Sequence, residues 1–282
     1  MTVATTTVDR RRPRVDAIPI IEEATGMIER TRWALADGWA VTRRNLTHVR
    51  YVPEKLLDVT LQPILFVLLF VYVFGNAINV PGGSYVQFLM AGIFVQTMMF
   101  GAQGTALGMA EDLHNGIIER FRSLVMSRSA LLAGRVLADA LRNVFVVALM
   151  IGVGYLVGFR LHTNLAALLA AVGVLLLFGI AISWVAALIG LTSKSAEAAG
   201  AAALPIIVLL GFPSSAFVLT SHMPRVLRAY ANHQPLTATV DTIRPLLLGG
   251  PTSSHAAAAV IWCLGIIAVF APLAVLRYRR AG

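Results

Sequence analysis

Three ionisable residues stand inside a long apolar stretch of this chain: Arg135, Asp139 and Arg142, spaced i, i+4, i+7 on one helical face. Charged groups are costly in hydrocarbon, so such a set is a functional candidate by default. Two readings fit the spacing: a structural ion-pair cluster near the interface, or a gating role. No Asp or Glu lies near the centre of an apolar run, which disfavours a proton- or sodium-driven carrier. Glu111, Asp112 and His114 are close in sequence but form no zinc motif, and none of the six histidines stands in an H-E-x-x-H pattern. No metal site is therefore expected. The two lysines, Lys55 and Lys194, lie outside any G-x-x-x-x-G-K-[ST] sequence, so the chain has no phosphate-binding loop of its own for ATP. No nucleophile–base pair is visible, and the chain reads as a non-enzyme.

Those residues must be held by helices in a bilayer. Of 282 residues, 57% are hydrophobic and 13% charged, against roughly 45–50% and 25% in soluble domains. This excludes disorder, a coiled coil and an ordinary soluble enzyme. The single cysteine, Cys263, excludes an intrachain disulfide. Between Val59 and Ala110 there is no charged residue, room for two spans at about 20 residues each. The break is Val80-Pro81-Gly82-Gly83-Ser84. Six spans are expected, near 58–78, 85–109, 134–158, 164–191, 198–219 and 256–276. The fold class is an all-α integral membrane protein. Residues 1–26 are read as a flexible cytoplasmic tail without the apolar core of a signal peptide, and 27–282 as one transmembrane domain.

Six spans put both termini on one side, and the basic residues choose it. Eighteen Lys/Arg fall on the face that holds the termini and four on the other, with Arg142 inside a span. The positive-inside rule makes that face cytoplasmic. The net charge of +9 thus belongs at the inner leaflet, where anionic lipid attracts it, rather than on nucleic acid.

Two amphipathic segments flank the spans. Over 27–50, Leu35, Trp39, Thr42, Leu46 and Val49 form one stripe, with Arg32, Arg43 and Arg50 along its edge. This fits an interfacial helix whose guanidinium groups reach lipid phosphate; a core-facing helix of a small cytoplasmic domain is the alternative. Over 111–128, Ile117, Ile118, Phe121, Leu124 and Val125 share an arc, with Glu119, Arg120, Arg122 and Ser123 elsewhere. Docking in a partner's groove and capping the membrane surface fit that spacing equally.

Several stretches together carry a resemblance. They are Arg44-Asn45-Leu46 through Pro53, Leu61-Gln62-Pro63-Ile64-Leu65-Phe66, Tyr72-Val73-Phe74-Gly75, and Tyr85-Val86-Gln87-Phe88-Leu89. Asp112 through Arg135, Asn232-His233-Gln234-Pro235-Leu236-Thr237 and Arg244-Pro245-Leu246-Leu247-Leu248-Gly249-Gly250-Pro251 extend it. In order and spacing this resembles the ABC type-2 transporter permeases, specifically the daunorubicin/doxorubicin-resistance permease group of actinobacteria, over about 40–282. Ala91 and Val125 stand where that group often has proline.

The resemblance implies a bacterial plasma-membrane exporter subunit that moves amphiphilic drugs, antibiotics or lipids. Lipid or cell-wall glycoconjugate export is the alternative within the family, and a stand-alone secondary drug carrier the alternative outside it. Two separate ATPase subunits would bind ATP and Mg, and a second permease chain, same or homologous, would complete the complex. The resemblance assigns ATPase coupling to the loop helix, with Glu111, Asp112, Ile117, Ile118, Arg120, Phe121, Arg122 and Leu124. It also implies short re-entrant helices over about 223–248, marked by Pro235, Asp241 and Arg244.

Overall fold

A computed structural model describes residues 53–75, 84–115, 128–250 and 255–280. Every regular element among them is helical. In chain order they are α1 (Pro53–Leu69, continuing as a π-helical turn Phe70–Phe74), α2 (Tyr85–His114), α3 (Arg128–Leu156) and α4 (Leu165–Thr192). Then come α5 (Ala196–Gly211), a 3₁₀ turn (Thr220–His222), α6 (Arg225–Asn232), α7 (Pro235–Leu248) and α8 (His255–Arg280). The interfacial-helix residues Leu35, Trp39, Arg43, Leu46 and Arg50 lie outside the described residues.

Four segments are long and apolar enough to cross a membrane: Tyr85–His114, Gly134–Leu156, Leu165–Thr192 and His255–Tyr278. Each exceeds the about 20 residues that a hydrocarbon core of about 30 Å requires at 1.5 Å per residue. The expected first and fifth spans are shorter apolar helices, Leu61–Val73 and Ala196–Gly211. The fifth differs most from expectation, because helix was expected to continue to about residue 219. Pro213 removes a donor two residues past Gly211. The chain then turns, with Ser214 Oγ donating to the Gly211 carbonyl and the Ser214 amide to Phe212. Ala216 and Phe217 remain buried although they are not helical.

Polar residues set the helix starts. Ser84, Asn164 and Ser195 each take an extended conformation, and their side chains accept the amide hydrogens of Gln87, Ala167 and Ala198. These caps satisfy groups that the first turn leaves without partners. The expected break at 193–197 thus divides: Ser193 closes α4, while Ser195 caps α5.

The core is organised around α2. Its apolar residues run around the whole circumference, as expected of a helix enclosed by others, and it is buried from Phe88 through Met99. Helices α4, α5, α3 and α7 all pack on it, and α8 covers α4 and α7. Small residues permit the closest approaches. A Cβ on Gly190 would stand 2.5 Å from the Ala106 carbonyl oxygen and 2.7 Å from Met109 Cβ. A Cβ on Gly92 would come within 2.6 Å of the Ala216 backbone. Close backbone approach of this kind carries helix association in lipid, where hydrophobic driving force between helices is missing. Helix α7 ends on Gly249 at φ 79°, with the Gly249 and Gly250 amides both donating to the Pro245 carbonyl at 2.9 Å. Only glycine takes that left-handed conformation readily.

Gly92→Ala is expected to destabilise the folded chain by about 1–3 kcal/mol, the usual cost of overpacking, because backbone rather than a side-chain tip meets the new methyl. Gly173→Ala, where a Cβ meets nothing within 4 Å, is the control and should be neutral or stabilising. Thermal aggregation in detergent measures both.

Candidate functional site

The ionisable set on α3 finds its partners on α2. The two helices run antiparallel, and a row of polar contacts crosses between them like rungs. Nearest the 116–127 connection, Arg135 Nη1 donates to Asp112 Oδ2 in a part-buried ion pair. One turn deeper, Thr105 Oγ1 donates to Asp139 Oδ2, and Asp139 Oδ1 lies 3.2 Å from Arg142 Nη1. Deepest, Arg142 Nη2 donates to the Gly101 carbonyl at 2.9 Å. Asp139 and the neighbouring Asn143 are buried.

The α2 side is built for arginine. A Cβ on Gly108 would collide with the Arg135 guanidinium, and one on Gly101 would stand 3.2 Å from Arg142 Nη2. Glycine at these positions lets a guanidinium lie flat on the helix, and at Gly101 reach a backbone oxygen. Asn143 extends the contact to α4: its Nδ2 would lie 2.8 Å from a Cβ on Gly179. The arrangement holds ion pairs between helices. It lacks a nucleophile–base geometry, and what it does physically is fix the register of α2 on α3.

Sequence alone finds the α3 half of this site and assigns no partners to it. Asp139 pairs with Arg142 along α3, and Arg135 pairs with Asp112 across the helices. Gly101, Thr105 and Gly108 are missed as partners. The available signal is their spacing: 101, 105, 108 and 112 repeat with the period of 135, 139 and 142, read in the opposite direction. Of the loop-helix set, Glu111 is exposed at the end of α2 and Asp112 joins the ladder. Ile117, Ile118, Arg120, Phe121, Arg122 and Leu124 lie outside the described residues. His114 Nε2 lies 3.4 Å from the Ser193 carbonyl, bringing the α2 end to the α4–α5 turn.

A second network gathers at the opposite end of α2. Arg244, on α7, reaches Asp241 Oδ1 at 3.0 Å, the Ser215 carbonyl at 2.7 Å and the Phe88 carbonyl at 3.3 Å. Its guanidinium carbon lies 3.8 Å from the Phe88 ring centroid, a cation–π distance. Ser215 Oγ donates to Asp241 Oδ1 at 2.7 Å, and the Ser215 amide to Thr237 Oγ1 at 3.2 Å. Asp241 and Arg244 thus form an ion pair one turn apart on α7. Pro235 starts α7 and is buried, and the adjacent Gln234 donates to the Pro213 carbonyl at 2.6 Å. One arginine therefore ties α7, the turn after α5, and α2.

Comparison with known proteins gives the setting for this geometry. The family model for the ABC-2 type transporter matches residues 37–248. The daunorubicin resistance ABC transporter permease protein DrrB1 of Streptomyces coeruleorubidus is 30% identical over 274 residues, covering 92% of this chain and 96% of that protein. The probable doxorubicin resistance ABC transporter permease protein DrrC of Mycobacterium tuberculosis is 28% identical over 242 residues, 85% of this chain and 87% of that protein. The doxorubicin resistance ABC transporter permease protein DrrB of the same organism is 22% identical over 196 residues, 66% and 68% of the two chains. The matched range takes in both polar networks together with the helices that carry them, and the chain belongs to the ABC-2 type transporter family.

Proposed function

We propose that this chain is the transmembrane permease subunit of an ATP-driven exporter that moves amphiphilic drugs, antibiotics or lipids out of the cytoplasm or inner leaflet. The observation that carries the reading is the α2–α3 ladder: it binds together the two helices that flank residues 116–127. A push on that connection reaches both helices as one body. The relatives' names as daunorubicin or doxorubicin resistance permeases support a drug-like substrate.

In this reading the membrane crossings number six, with α1 and α5 joining the four long helices and α6 and α7 forming the re-entrant pair. Both termini face the cytoplasm. Two ATPase subunits bind ATP and Mg, and a second permease chain, same or homologous, completes the transport path. Residues 27–50 lie along the inner leaflet. ATP binding closes the ATPases and presses on the 111–128 loop helix. The ladder passes that displacement to α2 and α3, and α2 passes it to α1 and α5. A lateral path opens for the substrate. The test is co-purification with a partner ATPase followed by substrate-stimulated hydrolysis in nanodiscs. The isolated chain should hydrolyse no ATP, and the reconstituted complex should. Robust hydrolysis by the chain alone contradicts the reading.

The ladder makes its own prediction. Asp112→Arg and Arg135→Glu should each lower ATP-driven transport while leaving membrane abundance intact. The double variant restores an opposite-charge pair and should recover part of the loss, since contacting residues couple by about 0.5–3 kcal/mol. Loss without recovery in the double variant would refute a pairwise role.

Phe121 is the largest apolar side chain on the loop-helix arc. Phe121→Ala should leave the chain inserted and uncouple it from its ATPase. Truncating a buried aromatic anchor costs about 2 kcal/mol or more, which exceeds tenfold in affinity. Ser123→Ala, off the arc, is the mild control. Pull-down affinity and transport at equal abundance are the readouts.

A further inference from the structure

Helix α6 is amphipathic, and its apolar side is nearly bare. At about 100° per residue, Val226, Leu227, Tyr230 and Ala231 share one side, and Arg225, Arg228, Ala229 and Asn232 the other. Of the apolar set the protein covers Ala231; Val226 is 85% exposed, and Leu227 and Tyr230 are exposed as well. The helix is nonetheless held in place. The Arg228 guanidinium donates to the carbonyls of Thr220, Ser221 and Met223, which staples α6 to the 3₁₀ turn before it. Tyr230 Oη donates to the Leu209 carbonyl at 3.1 Å. That bond sets the bare side beside the end of α5, where Leu209 and Phe212 are exposed too.

The charge on this helix has no counter-ion nearby in the chain. Beyond Glu197, Asp241 is the only acidic residue, and it is taken by Arg244 and Ser215. Arg228 meets carbonyls rather than a carboxylate. Arg225 is exposed, and no ion pair among the described residues reaches it. The depth of the helix follows from α5. That helix has 16 residues, about 24 Å at 1.5 Å per residue, against a hydrocarbon core of about 30 Å. With Lys194, next to the cap Ser195, in one headgroup layer, α5 ends about 6 Å short of the other. Interfacial helices lie at about that depth.

We propose that α6 is a docking surface for an anionic phospholipid in the leaflet away from the 116–127 connection. The acyl chains cover Val226, Leu227 and Tyr230. Arg225, on the other side of the helix, then faces the headgroups, where its guanidinium pairs with phosphate. A free phosphate would satisfy the arginine and leave the apolar side bare, so the ligand is a lipid and not a soluble ion. A second copy of this chain is a poorer occupant. A two-fold interface sets like surface against like, and here it would set arginine against arginine with no free carboxylate between them. The inference goes beyond export: it concerns the membrane around the chain and needs no ATPase.

The experiment uses the full-length chain with Cys263→Ala, in nanodiscs of mixed phosphatidylcholine and phosphatidylglycerol. Bimane is attached through Val226→Cys or, on the polar side, through Ala229→Cys. Brominated acyl chains, which quench bimane on contact, are placed on one lipid or the other. The dye at 226 should be quenched and the dye at 229 much less. Brominated phosphatidylglycerol should act at about fivefold lower mole fraction than brominated phosphatidylcholine, the worth of one arginine at an anionic surface. Arg225→Gln should erase that preference while quenching itself persists, and Arg225→Lys should keep most of it. A dye at 226 that neither brominated lipid quenches overturns the proposal, whether the position meets water or, shown by excimer emission from pyrene in place of bimane, a second copy. Equal quenching by the two lipids with Arg225 in place overturns it too, as does a preference that survives Arg225→Gln or disappears on adding inorganic phosphate. The readout involves no ATP, so each of these failures leaves the exporter reading standing.

Discussion

The seating of two guanidinium groups on the glycine face of α2 is the constraint around which the rest is arranged. Charge can enter a membrane helix only if a neighbouring helix neutralises it and completes its hydrogen bonds. Arg135 meets that condition through Asp112 of α2; Arg142 is neutralised by Asp139 of its own helix and takes the Gly101 carbonyl from α2. Both contacts need α2 and α3 in one register and at close range. Glycine at 101 and 108 provides the range; the matching repeats provide the register. Once α3 is fixed on one side of α2, Asn143 reaches toward Gly179 of α4. Helix α4 in turn closes on α2 through Gly190, and α8 and α7 pack on α4. The bundle grows outward from a polar contact although most of its surface is apolar.

How much of this the sequence discloses depends on which property carries the signal. A long, mainly apolar stretch is a one-dimensional property, so the four long helices are visible directly. The end of α5 is not. Ala216, Phe217, Val218 and Leu219 prolong the apolar run because they pack on α2 and its neighbours, and burial demands apolarity whether or not the backbone is helical. The polar turn Pro213-Ser214-Ser215 inside that run is the local evidence, and it was outweighed by its flanks.

The site divides in the same way. Arg135, Asp139 and Arg142 are conspicuous because charge is rare in their surroundings. Their partners Gly101, Thr105 and Gly108 are inconspicuous because small residues are ordinary in membrane helices, and only a choice of antiparallel register brings them into line. Gln96 is missed for a third reason. An uncharged amide scarcely changes the hydropathy of its window, and its interest lies in lacking a partner, which only a packed structure reveals. Asp241 and Arg244 are legible as charges that interrupt an apolar segment, whereas their pairing and the contacts of Ser215 and Phe88, from distant parts of the chain, are not.

The two networks sit at opposite ends of the same helix. At one end α2 is held to α3 by the ladder; at the other it is held to α7 and the post-α5 turn by Arg244. Between them Gln96 is the polar side chain that gains nothing from the packing. A helix tied at both ends transmits force along its length instead of bending, because its backbone bonds are internal and its ends are anchored. The Arg244 end gives α2 one hydrogen bond, at the Phe88 carbonyl, and one ring face, while the mid-helix Gln96 amide makes no hydrogen bond. Along the α2–α5 contact, Gln96 gives no hydrogen bond where it packs on Gly211, whereas two turns nearer the ladder Gln103 donates to the Gly200 carbonyl at 3.4 Å.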